Sequence, residues 1–183
     1  MSQSLRRSKG RISVLVITAD NMTSELLRSA FAHGRKGFTV ETLTGSSQKI
    51  IGQLPAHKAD VTIISEELQD GPEAGIRVLQ KTQAAHDTSA IMLLQSSKPE
   101  QVVTAFRDGA RGVFYRSHSL KSLSKCIQAV HQGQIWAGNE DLEHLIKALS
   151  HLKPVHLNDS EGIPHLTHRG KPHPSPLRHK HHL

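Results

Sequence analysis

The densest group of metal-ligating side chains in the sequence is His179-Lys180-His181-His182. Neutral imidazole is a good ligand for transition metals, yet no carboxylate or cysteine lies nearby to fix a coordination geometry, so the cluster reads as part of a basic tail. Cys126 is the one cysteine. It has no partner for an internal disulfide and sits in a helical pattern where core packing is its expected role. Ser65 ends the run Ala59-Asp60-Val61-Thr62-Ile63-Ile64-Ser65, and no histidine or acid is visibly arranged to make its hydroxyl a nucleophile. Glu66 and Glu67 follow at once and read as a solvated acidic loop, continued by Gln69-Asp70-Gly71-Pro72, whose Asp-Gly-Pro order marks a turn before a helix. No Gly-rich phosphate loop follows Ile17, and no His, Cys and Glu set has ligand spacing. Catalytic and metal-binding residues are therefore expected to be none, and an enzyme or small-molecule binder has little support.

These residues are positioned by apolar runs that alternate with helical patterns, the signature of a parallel sheet covered by helices on both faces. Ile12 to Ile17 is β-branched and almost continuous, as in a strand buried on both faces, and reads as the central strand. Leu26, Leu27, Ala30 and Phe31 recur at helical spacing, and His33-Gly34 closes that helix. Phe38 to Leu43 alternates like a strand nearer the sheet edge, followed by a short helix around Gln48 to Leu54. Val61 to Ile64 is the third strand; a helix carrying Ile76 and Leu79 starts near Pro72 or Glu73. Ile91 to Leu94 is the fourth strand, and Val102, Val103, Phe106 and Ala110 line the helix after it. Gly112 leads into a fifth strand, Val113-Phe114-Tyr115, and Leu120, Leu123, Ile127 and Val130 mark a further helix that Gly133 ends. A sixth helix is expected from Asn139 to about Leu152, with Leu142, Leu145, Ile146 and Leu149 on one face; that stripe needs something to bury it. Right-handed crossovers then make an α/β, open, doubly wound, five-stranded parallel sheet, for which the order 2-1-3-4-5 is common, with function at the strand carboxyl ends.

The 183 residues suffice for one well-filled domain and a tail. No stretch approaches the ~20 apolar residues of a membrane span, and the polar start lacks a secretory signal, so the expected location is cytoplasmic, with no membrane partner. The net charge of +7 belongs to the ends, because residues 12 to 150 carry 14 basic and 14 acidic side chains. Arg6, Arg7, Lys9 and Arg11 form a basic arm, residues 1–10 and their neighbour. From Lys153 onward five prolines and a row of histidines replace periodic apolar residues, so 153–183 is expected to be disordered. Such ends bind polyanions weakly and commonly serve solubility, without sequence-specific nucleic-acid binding.

The segment Asp108-Gly109-Ala110-Arg111-Gly112-Val113-Phe114-Tyr115-Arg116 resembles the last strand of response-regulator receiver domains of the NarL/FixJ, or LuxR-type, subfamily. Leu120 to Val130, followed by Gln132-Gly133-Gln134-Ile135-Trp136, is similar to that subfamily's last receiver helix and the segment after it. The resemblance covers about residues 11 to 150 and implies a receiver, CheY/flavodoxin-like fold over 11–138 with an additional helix over 139–152. It also implies signal transduction in two-component systems and phosphorelays, with transcription regulation as a frequent output.

Receiver chemistry, as the resemblance implies it, uses an acidic pair after the first strand for Mg²⁺, an aspartate ending the third as phosphoacceptor, a hydroxyl ending the fourth and a lysine ending the fifth. Thr18-Ala19-Asp20 leaves at best one carboxylate in the acidic pocket, so Mg²⁺ binding is expected to be weak or absent and no cofactor is expected. Ser65 stands at the phosphoacceptor position and cannot form an acyl phosphate. Ser96 is the hydroxyl-equivalent position, and Arg116 stands for the lysine with a different geometry. A permanent phosphate mimic at Glu66 or Glu67 is disfavoured, because alternation along an extended chain turns the residue after Ser65 away from the pocket.

Family members continue into a helix-turn-helix, whose opening Leu166-Thr167-His168-Arg169 resembles. Gly170 and Lys171-Pro172-His173-Pro174-Ser175-Pro176 break that match, and the 14 residues after Arg169 are too few for a recognition-helix bundle. The expectation is a degenerate receiver truncated before the helix-turn-helix, naturally or by a shifted frame. Its favoured role is an atypical receiver, or pseudo-receiver, acting through a protein partner or homodimer on the fourth-helix, fifth-strand and fifth-helix face, where Arg107, Arg111 and Lys121 lie. The alternative is the truncated form of a DNA-binding LuxR-type regulator of transcription.

Overall fold

The computed structural model describes residues 11–32, 37–85 and 88–150. The basic arm, His33-Gly34 and the His- and Pro-rich segment from residue 151 lie outside them. Strands β1 (Ile12–Thr18), β2 (Phe38–Thr44), β3 (Val61–Ser65), β4 (Ser89–Leu94) and β5 (Gly112–Tyr115) form one parallel sheet in the order β2-β1-β3-β4-β5. The middle place falls to β3, not to β1, because β3 pairs with both β1 and β4. β1 is nonetheless interior, which its continuous apolar run requires.

Alternation divides the strand side chains between two cores. Leu15, Ile17, Ile64, Met92, Leu94 and Val113 face α2 (Ser47–Gln53), α3 (Ala74–Ala85) and α4 (Pro99–Arg107). Val14, Val16, Val61, Ile63, Ile91, Leu93 and Phe114 face α1 (Asn21–Ala32) and α5 (Leu120–His131). Cys126 is fully buried in this second core, as its helical position predicts.

Three packing expectations change. Leu26 is 62 % exposed, because Leu27 and Phe31, four residues apart, take the inward face of α1 with Ser24, and Leu26 is rotated off it. Helix α3 begins at Ala74, since a Leu68–Gly71 bridge keeps Pro72 and Glu73 in the turn. Ala110 packs in the core from beyond the end of α4, after the Asp108–Gly109 turn.

The segment after α5 adds to the sheet edge. Trp136 pairs with Gly112, accepting from Val113 N and donating to the Arg111 carbonyl, both at 3.0 Å. A Cβ at Gly112 would meet Trp136 Cβ and Val130 Cγ2 at 3.2 Å, so a side chain there would require these neighbours to give by a few tenths of an ångström. Helix α6 (Asn139–Ser150) follows and lies along α4. Of the apolar stripe expected to be buried, Leu145 is half-buried, whereas Leu142 is 43 % exposed and Ile146 and Leu149 are each 65 % exposed. His144, Lys147 and Ala148 line the cleft against α4 instead. Among the described residues no helix is long and apolar enough to cross a membrane.

Candidate functional site

At the carboxyl edge of the sheet, Thr18, Ser65 and Arg116 share the strand parity of the α1–α5 face. Ser65 is fully buried, and Arg116 Nη2 donates to its Oγ at 2.6 Å. Arg116 is held there by its own backbone, whose N–H donates to the Leu94 carbonyl at 3.0 Å. Thr18 is buried too, donating from Oγ1 to the Asp20 carbonyl at 2.9 Å and sharing a 2.6 Å bond with Ser24 Oγ. The carboxylate of Asp20 accepts from Thr23 N and Thr23 Oγ1, each at 2.8 Å, which makes Asp20 the N-cap of α1. Those two bonds hold its pKa below the ordinary value, with a smaller contribution from the Arg116 charge. Its cap role was legible in principle, since an aspartate stands directly before a helical pattern.

Gly75, which sequence reasoning passed over, closes the site from the α3 side. Its N–H donates to the Glu66 carbonyl at 3.0 Å, and a Cβ there would lie 2.0 Å from the Ser65 carbonyl oxygen. Glu66 turns away from Arg116, accepting from Gln95 N at 3.1 Å and from Gln101 Nε2, while Glu67 is exposed. Ser96 is exposed in the β4–α4 loop, its carbonyl accepting Lys98 N–H at 3.1 Å. Among the described residues its hydroxyl is not part of the Ser65–Arg116 pair; the neighbouring Ser97 is the one that reaches across, to Asp141 at 3.4 Å. Ala19 contributes its carbonyl, which accepts from Gln69 Nε2 at 3.0 Å and ties two loops of the edge together. Asp70 is more than a solvated acid. It accepts from Ser47 N at 2.7 Å, Ser47 Oγ at 2.5 Å and Arg77 Nη2 at 2.7 Å, and the Ser47 bonds hold its carboxyl well below the usual range.

On the α4 face a second polar group gathers around Asp141, a carboxylate 2 % exposed in the first turn of α6. Its Oδ2 accepts from Gly138 N at 2.7 Å, the third-position half of a capping box. Its Oδ1 accepts from Tyr115 Oη and from Ser97 Oγ. Burial first, and this bond second, push the Tyr115 phenol up to about 12. The expected partner-facing residues Arg107, Arg111 and Lys121 are all exposed, and Arg107 lines the α4–α6 cleft.

The chemistry available is narrow. Mg²⁺ wants several carboxylate oxygens, whereas Asp20 supplies one carboxylate that already caps α1 through Thr23, and the Ser65 hydroxyl faces the Arg116 cation. The residues present do not fit the ion, and among the described residues no three His, Cys, Asp or Glu side chains converge as a ligand set.

No protein-family model matches the sequence, and no curated protein gives a significant match. Solved structures do match in shape. A two-component response regulator of the LuxR family from an Aurantimonas species aligns with a TM-score of 0.65 at 14 % identity, over 77 % of this chain and 99 % of that one. The Salmonella typhimurium response regulator RcsB aligns at 0.63 and 17 % identity, over 75 % and 68 %. A DNA-binding response regulator of the LuxR family from Staphylococcus aureus aligns at 0.56 and 16 % identity, over 66 % and 98 %. With the strand order and the two helical layers, these likenesses establish that the chain has the receiver fold of response regulators.

Proposed function

We propose that this chain is an atypical receiver, a pseudo-receiver that transmits signals through protein contacts and carries no phosphoryl at position 65. The observation that carries the reading is the 2.6 Å bond from Arg116 to the buried Ser65 hydroxyl. A serine offers no carboxylate to form an acyl phosphate, and a neutral hydroxyl needs a base before it attacks phosphorus. Its neighbour here is instead a permanent cation, which holds the oxygen in place without taking its proton. The contact side on this reading is α4–β5–α5, with α6 laid across α4 as part of that surface.

The test is direct. Incubate the protein with Mg²⁺ and a small-molecule acyl-phosphate donor, then measure intact mass. The expected result is an unchanged mass; a labile phosphoryl adduct refutes the reading. The Staphylococcus aureus likeness, described as DNA-binding, supports a second reading in which this is the receiver part of a transcription regulator. A salt-resistant, sequence-dependent gel shift favours that one.

A further inference from the structure

The amino edge of the sheet, at the other end of β3 from Ser65, borders a cavity of about 190 Å³ walled by β1, β3, α3 and the chain from residue 54 to 59. Three buried threonines line it, Thr62, Thr82 and Thr88, the first only 1 % exposed. Strand alternation puts Thr62 there, since it shares the parity of Ile64 and so faces the α2–α3 layer. Thr82 Oγ1 donates to the Val78 carbonyl at 2.8 Å, and Thr88 Oγ1 donates to the Ala59 carbonyl. Those two hydroxyls have spent their protons and keep only lone pairs. No described group hydrogen-bonds the Thr62 hydroxyl. Among the described residues the sealed side-chain oxygen without a partner is elsewhere, at Gln101 Oε1, so the Thr62 hydroxyl is not sealed and opens on the cavity. The wall is fixed in place. Asp60 Oδ2 accepts from Ser13 N and Asp60 N donates to the Ser13 carbonyl, both at 2.9 Å, while His57 N donates to the Leu54 carbonyl at 3.0 Å.

We propose that this cavity is a binding site for a small neutral molecule carrying a hydroxyl on an apolar ring, of the phenol or cyclic-alcohol class. Size comes first: an apolar cavity of about 150 Å³ admits benzene, so this one takes a single six-membered ring with a substituent. Its apolar wall is Leu15, Leu54 and Ala59. Its polar wall accepts through Thr82 and Thr88 and can both donate and accept through Thr62, which a ligand hydroxyl matches because it too does both. Charge excludes the ionic alternatives. No carboxylate lines the cavity to hold a cation. Of the two basic residues in its wall, His57 is engaged by Glu41 at 2.6 Å and Lys58 is exposed, so no buried cation stands ready to offset an anion. The buried Thr62 hydroxyl then gains a partner instead of staying unpaired, a state that costs free energy. The site shares no residue with the Ser65–Arg116 pair and does not depend on the reading given above for it.

Amide chemical shifts of the full chain, followed by NMR during titration with phenol and separately with benzene, test it. Phenol should move the amides of Leu15, Ala59, Thr62, Thr82 and Thr88 with a Kd on the order of 1 mM, the range open to so small a ligand. Benzene, which lacks the hydroxyl, should bind more weakly. Thr62→Val replaces the hydroxyl with a methyl of similar shape, and should weaken phenol by about fivefold, one net hydrogen bond, while leaving benzene unchanged. Thr62→Ser keeps the hydroxyl and should keep the preference for phenol. Should Thr62→Val fail to fold, the phenol-to-benzene ratios of wild type and Thr62→Ser decide. A wild type without shifts at these amides up to about 20 mM phenol overturns the proposal, as a cavity that takes water alone would give. So does benzene binding as tightly as phenol, or phenol binding that Thr62→Val leaves unchanged. None of these results alters the phosphodonor outcome, so the two readings fail separately.

Discussion

Replacing Asp141 with asparagine tests whether the first turn of α6 is clamped to the sheet, and Tyr115 reports the answer because it is the one tyrosine in the chain. In the wild type, burial and then the Asp141 bond raise the phenol to about 12, against an ordinary value of 10.0. Asp141→Asn keeps the burial and removes the anionic acceptor, so the phenolate band should titrate between those two values. The linkage has a definite sign. The folded phenol holds its proton more tightly than the unfolded one, so its stabilising contribution is intact below pH 10 and is lost as the pH climbs from about 10 toward 12. Asparagine narrows that window. At neutral pH a hydrogen bond to a charged group contributes about 1.5–3 kcal/mol, and water reaching the half-buried phenol favours the lower end. That corresponds to about a tenfold rise in the opening of α6, read as faster hydrogen exchange of its amides with little change in the β3 and β4 amides. An unchanged tyrosine midpoint together with unchanged α6 exchange would show that Asp141 is not the clamp.

Gly75→Ala should lower stability by about 3 kcal/mol or more, because its Cβ would lie 2.0 Å from the Ser65 carbonyl oxygen, a backbone atom with nowhere to go; a thermal melt within a degree or so of wild type would contradict the packing. Cys126, whose thiol burial pushes up to about 12, should resist a thiol-alkylating reagent at neutral pH until denaturant opens the core. Labelling of the native protein as fast as of the denatured one would place that thiol outside the core.

The fold was legible because each strand run and each helical pattern solves a local problem. Ile12 to Ile17 is too continuously apolar for anything but an interior strand, and the Asp108 to Arg116 segment pairs a turn with a strand in a recognisable order. The errors arose where a residue answers to a neighbour distant in sequence. Leu26 shares the spacing of Leu27 but not its direction, and only the packing of α1 on the sheet chooses between them. Ala110 follows the helical period yet leaves the helix, because its N–H donates to the Ala105 carbonyl and the chain turns into β5. At the candidate site, sequence placed Ser65 and Arg116 on the correct strand ends but could not foresee their bond, which spans 51 residues. From sequence Asp141 is legible only as an acid in the first turn of a helix, favourable to its dipole. Its burial depends on Tyr115 and Ser97, contributed by other elements, and no local pattern announces them.

A chain of contacts runs from the sheet edge to α6. Ser65 is covalently followed by Glu66, which accepts from Gln95 and Gln101 of the β4–α4 region; two residues beyond Gln95, Ser97 donates to Asp141, which holds α6. Contiguity alone does not make coupling, because an element must have two states and something must bind them unequally. At Ser65 nothing of that kind is available on the proposed reading: the hydroxyl is neutral, buried and already satisfied by Arg116. In a phosphorylatable receiver the new charge supplies the unequal interaction at this end of the chain of contacts. On the proposed reading the free energy enters at the other end, from a partner on the α4–α6 side. A partner bound there should be felt at Tyr115 and the β4–α4 loop, and by reciprocity a change in that loop should be felt in the partner's affinity.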